Sequence, residues 1–179
     1  MKGIVYTELL EFLETNHGYK FVNDLIAHSN DPENGAYSSF GYYDDQNLYN
    51  LLDTLSDLTN TPKDALLLKF GYHLFHRLAE THPKLIESYN NLFDLLSSLD
   101  NTIHVSVNKI YPDTITPRFI VKERTNHKLV MIYQSSRNLV NLAEGLIKGC
   151  AAFYGENISI VVNDNDKSSY LFEIFNKSR

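Results

Sequence analysis

Apolar positions in the first hundred residues recur at helical spacing. Ile4, Val5, Leu9, Leu10, Phe12 and Leu13 approximate one helical face closed by Gly18, and Phe21, Val22, Leu25 and Ile26 form a second. The turn-rich stretch "HSNDPENGAYSSFGYYDD" separates these from a third helix, opened by Asp44 and Asp45 and carried by Leu48, Leu51, Leu52 and Leu55. A fourth helix begins with a cap-like Asn60 or Thr61 and Pro62 and stops at Pro83. A fifth is expected from about Pro83 to Leu99. "IHVSVNKIY" then alternates and reads as a strand.

After Pro112 the period changes. "RFIVKER" and "KLVMIYQ", joined by "TNH", carry the signature of a hairpin. A helix from about Arg137 to Tyr154 follows, and "NISIVV", "NDNDKSS" and "YLFEIF" make a second hairpin. The order predicts an α+β fold: a helical N-terminal part, then a four-stranded antiparallel sheet with a helix inserted between two hairpins. No repeat or long linker divides the chain. The expectation is a single domain over residues 1–179, with a helical N-terminal part of about 1–60 and a second part of about 61–179.

Composition narrows the chemistry. A net charge of -6 and the lack of a clustered basic face argue against nucleic-acid binding. Cys150 is the sole cysteine, which excludes an internal disulfide, a zinc site needing two cysteines, and C-x-x-C-H haem attachment. This usage suits a reducing cytosol. Glu8, Glu11 and Glu14 interrupt the apolar N-terminal stretch, so it does not read as a secretory signal. The apolar runs are too short for membrane insertion.

"MIYQSSRNLVNLAEGLIKG" changes from strand-like alternation to a helical apolar stripe. In an extended segment, Tyr133, Ser135 and Arg137 point the same way and offer two hydroxyls and a planar cation, a set that suits an anion with several oxygens. Alternatively, this is a solvated strand end whose Ser135 or Ser136 caps the next helix. His73 and His76, at i and i+3, could share a metal with His82, although no convincing third ligand follows.

The motif Tyr133-x-Ser135-x-Arg137 followed by an apolar helix resembles the signature of the haem nitric oxide/oxygen binding (H-NOX) domains. The resemblance covers the whole chain and includes "MKGIV", "IHVSVNKIYPDTITPRF" and "GLIKG". It implies a stand-alone bacterial member in which Tyr133, Ser135 and Arg137 hold the propionates of non-covalent haem b. His104 would be the proximal iron ligand, and Pro117 would press on the porphyrin. By periodicity alone, His104 could equally be an ordinary packed histidine. The resemblance further implies a distal wall from Val5, Leu9, Leu74, Leu78, Leu142 and Leu146.

Oxygen-binding members carry a tyrosine hydrogen-bond donor where this chain has Leu142. The resemblance therefore implies a cytoplasmic sensor selective for nitric oxide, also able to bind carbon monoxide, with Tyr6, Tyr72 and Asn141 as candidates for an unexpected donor. Signalling would proceed through release of His104 and relaxation of the haem, toward a sensor histidine kinase or a cyclic-dinucleotide enzyme. Three other readings remain open: an oxygen-binding domain of the same fold, a non-haem module for an acidic lipophile, and a peroxidase. The last lacks a distal acid/base pair, so no enzymatic activity is expected.

Overall fold

The computed structural model describes residues 1–110, 114–166 and 169–178. Pro112, where the period changes, and Lys167 and Ser168 in the predicted hairpin loop lie outside the described residues. Helix α1 spans Gly3–His17, α2 Tyr19–His28, α3 Asp45–Thr59 and α4 Lys63–Thr81. Gly18 makes the break between the first two in a conformation with φ of 85° that side chains resist. Asp44 caps α3 by accepting from the Gln46 backbone N–H at 2.9 Å.

Three local expectations are corrected. Asn60 does not cap α4; it closes α3 in the left-handed region, and Pro62 occupies the cap position of α4. The helix expected from Pro83 to Leu99 is broken into a 3-10 turn, Pro83–Leu85, and a short α5, Leu92–Ser97, capped by the Asn91 side chain. The stretch that alternates like a strand is a π-helical turn, Leu99–Ile103, running directly into helix α6, His104–Ile110. Val105 is exposed while Ile103, His104 and Val107 turn inward, which is helical spacing.

Strands β1 (Arg118–Arg124) and β2 (Lys128–Gln134) form one hairpin, and β3 (Ile158–Asp166) and β4 (Ser169–Asn176) the other. The antiparallel sheet runs β1-β2-β4-β3. Between the hairpins lies α7, Val140–Phe153, three residues later than expected because Asn138 takes a left-handed turn. Leu129, Met131, Tyr133, Phe172 and Ile174 are buried in a core shared with Ala143, Ile147 and Ala151 of α7. A second core gathers Tyr6, Leu9, Leu25, Leu51 and Phe70, with Leu139 and Leu142. Each fully buried Leu or Phe contributes about 1.5–3 kcal/mol.

The two cores meet along α4 and α7, which approach backbone to backbone. A Cβ on Gly71 would fall 2.3 Å from the Leu142 carbonyl oxygen, and one on Gly145 would fall 2.3 Å from that of Leu68. Glycine at these positions allows the two backbones to meet and sets Leu142 and Leu146 beside Leu74 and Leu78.

Candidate functional site

Between these elements lies a cavity of about 490 Å³, within the roughly 300–1,000 Å³ typical of cofactor pockets. One wall comes from the π-turn, α6 and the approach to β1, through Ile103, His104, Val107, Pro117 and Phe119. A second comes from α1, α4 and α7, through Val5, Leu74, Leu78, Leu142 and Leu146. Tyr133, Ser135 and Arg137 all reach the same space. Leu9 does not line it; it is buried among the N-terminal helices.

His104 is held on the first wall with its ring 6.0 Å from that of Phe119. Burial holds its pKa below the ordinary histidine value, against the opposing pull of Asp100, so the imidazole is neutral and able to coordinate a metal. Its Nδ1 is buried without a hydrogen-bond partner.

The end of β2 and the turn after it bring the other three residues together. Burial pushes the Tyr133 hydroxyl pKa up, so it remains a proton donor. Ser135 does not cap α7; its Oγ accepts from the Arg137 backbone N–H at 3.2 Å and shapes the turn. Arg137 donates through Nε to Asp45 Oδ2 at 2.8 Å and through Nη1 to the Ile115 carbonyl at 2.7 Å. Those bonds use two of five guanidinium N–H groups, and the rest can meet an anion. Asp45 also faces the Met1 ammonium at 2.9 Å. Burial would raise the Asp45 pKa, but hydrogen bonds from Met1 and Arg137 outweigh it and hold the carboxyl below the usual range.

None of the polar groups expected as an unexpected donor lines the cavity. The Tyr6 hydroxyl donates to the Asp44 carbonyl at 2.6 Å, its ring stacked on Tyr37. Tyr72 is exposed on the outer side of α4, beside His73 and His76 in a separate open groove. Asn141 lies outside the lining. His82 lines the cavity, apart from those two histidines, and among the described residues no group of three or more His, Cys, Asp or Glu could hold a metal ion.

Several residues at the site lie outside those expected from the sequence, although Cys150 continues the spacing of four from Leu142 and Leu146. Tyr42 reaches the cavity from the turn-rich segment, its hydroxyl 3.1 Å from Thr114 Oγ1, and Lys2 lies 4.0 Å over its ring. Cys150 lines the cavity with a thiol whose pKa burial raises, so it stays protonated. Asp100 was also unforeseen, although the spacing Asp-x-x-x-His places it one turn before His104.

An apolar cavity with a neutral imidazole whose Nδ1 lacks a hydrogen-bond partner on one wall, and a guanidinium with two hydroxyls reaching the same space, fits a flat iron macrocycle bearing carboxylates. The site defines a haem-binding α+β domain. The family model for haem-NO-binding proteins matches residues 2–162, and the chain belongs to that family, the H-NOX domains. It is a haem-based gas sensor whose prosthetic group is haem b.

Solved structures agree across the full length. The Fe(II) unliganded H-NOX protein from K. algicida is 33% identical, with 100% of this chain and 98% of that one covered and a TM-score of 0.94. The H-NOX from Shewanella woodyi, solved with IWP-051 in the Fe(II)CO state, is 34% identical over 100% and 96% of the two chains, with a TM-score of 0.86. An H-NOX protein from S. oneidensis in the Fe(II)NO state is 24% identical over 99% and 100%, with a TM-score of 0.92, a likeness of fold. No curated protein sequence matches significantly. No helix among the described residues is long and apolar enough to cross a membrane.

Proposed function

We propose that this chain senses nitric oxide in preference to oxygen and passes the signal to a partner protein in the cytoplasm. The observation that carries the reading is the leucine wall at Leu74, Leu78, Leu142 and Leu146. Bound oxygen carries partial negative charge and needs a donor worth on the order of 1 kcal/mol or more in a dry pocket, and leucine offers none. Carbon monoxide and nitric oxide need less polar help. The Fe(II)NO and Fe(II)CO states of the Shewanella proteins support both as ligands here.

His104 is the iron ligand in this reading, and Tyr133, Ser135 and Arg137 fasten the propionates. Val5 and the leucines exclude water from the distal side, and the Pro117 ring, rigid in φ, bears on the cofactor from the His104 side. When bound, ferrous haem would supply the gas site, with the His104 imidazole holding its iron and Tyr133, Ser135 and Arg137 its carboxylates. Release of the His104 imidazole would let α6 and Pro117 move, and the helical part of about residues 1–60 would shift against the haem-cradling part of about 61–179. The signal requires nitric oxide to bind the two arrangements with different affinity. The chain carries no catalysis of its own. The partner is a sensor histidine kinase or a cyclic-dinucleotide enzyme.

The test is the absorption spectrum of the reduced, haem-loaded protein alone and with nitric oxide, carbon monoxide and air. Nitric oxide and carbon monoxide should each shift the Soret band, and air should give no stable ligand spectrum. A stable spectrum in air would remove the selectivity; a protein indifferent to added hemin would remove the whole reading.

A further inference from the structure

His104 begins α6, and the π-turn immediately before it carries Asp100 one turn earlier. Such widened turns are concentrated at functional sites. Asp100 Oδ1 stands 3.6 Å from His104 Nδ1, so an approach of under ~1 Å reaches hydrogen-bond distance. The same oxygen accepts from the Phe119 backbone N–H at 2.7 Å, and Oδ2 faces Arg118 Nε at 3.5 Å. One carboxylate therefore touches the imidazole and the first residues of β1, which directly follow Pro117.

We propose that Asp100 is the positioning residue of His104: it takes the Nδ1 proton in hydrogen bond, leaves Nε2 for iron, and links movement of the imidazole to the start of β1. The inference rests on His104 being the iron ligand. A neutral imidazole has one N–H, and the acceptor beside one nitrogen decides which other nitrogen binds the metal and how basic it is. The Pro117 carbonyl also faces the ring, but an anionic acceptor makes the stronger bond. Arg118 tempers the carboxylate, so the pair Asp100 and Arg118 sets the strength of the iron–imidazole bond and thereby the ease of its release.

Asp100→Asn separates this role from a merely structural one, because the amide oxygen can still accept from Phe119 while the negative charge is lost. In ferrous haem-loaded protein, resonance Raman should show the iron–histidine stretch moved to lower frequency. Release of His104 after nitric oxide addition, read from the Soret shift, should accelerate by on the order of 10-fold. Arg118→Gln should move both readouts the opposite way and supplies the test if the Asp100 variant does not fold. A band and a release rate equal to wild type in the folded variants would overturn the proposal. An iron–histidine band that survives His104→Gly would instead overturn the ligand assignment on which it rests.

Discussion

Substitution of Gly145 by alanine tests the packing that builds the leucine wall. The added Cβ would lie 2.3 Å from the Leu68 carbonyl oxygen and 2.9 Å from Gly71 Cα. Ordinary C···O approaches are about 3.3–3.6 Å, so α4 and α7 must part by roughly 1 Å. Both neighbours are backbone, and no rotamer change relieves them. Overpacking of this kind costs about 1–3 kcal/mol, against about 0.5–1 kcal/mol gained when alanine replaces glycine in a helix. Taken at their midpoints these leave a net loss of about 1 kcal/mol, a fall in Tm of roughly 2–4 °C for a chain of 179 residues. Thermal unfolding should be followed at equal haem saturation, since bound cofactor raises the Tm by mass action. An unchanged or higher Tm would show that the helices are not in backbone contact at Gly145.

Four further outcomes are expected. His104→Gly should bind haem only with added imidazole; an unchanged ferrous spectrum would assign the ligand to another histidine. Leu142→Tyr should strengthen oxygen binding by on the order of 5–10-fold, from a hydrogen bond of about 1 kcal/mol, and equal oxygen titrations would mean that residue 142 does not face the gas. Arg137→Ala should weaken haem retention by roughly 10–100-fold, the equivalent of a charged hydrogen bond of about 1.5–3 kcal/mol, measured as the rate of haem loss to an excess of scavenger. Asp45→Asn should lower stability at neutral pH: a depressed folded pKa contributes stability above the unfolded value of about 4. That contribution disappears as pH falls through the folded value, so wild-type and variant melting curves should converge in acid; a constant gap would refute the linkage.

The element order and both hairpins are legible in the sequence because each rests on local periodicity. The i, i+2, i+4 spacing also places Tyr133, Ser135 and Arg137 in one space, but their role as a propionate clasp comes from family resemblance alone. The π-turn and α6 are not legible. The π-turn and helix α6 turn Ile103, His104 and Val107 toward a cavity meant for a cofactor, so their apolar face answers to a partner that the amino-acid pattern does not contain, and Ile-His-Val-Ser-Val passes for alternation. His104 itself was singled out by family resemblance rather than by period. Leu9 was misplaced because it shares a helical stripe with Val5, yet the N-terminal core takes it. Tyr42 was missed because its reach depends on how a long turn folds back, for which spacing holds no signal.

The seam of α4 and α7 means that the molecule has two separately packed interiors with a common spine. Because carbonyl oxygens and Cα hydrogens meet there instead of adaptable side chains, the spine has almost no freedom to slip. Under the proposed signalling, a displacement at His104 would therefore express itself as tilting about this stiff axis.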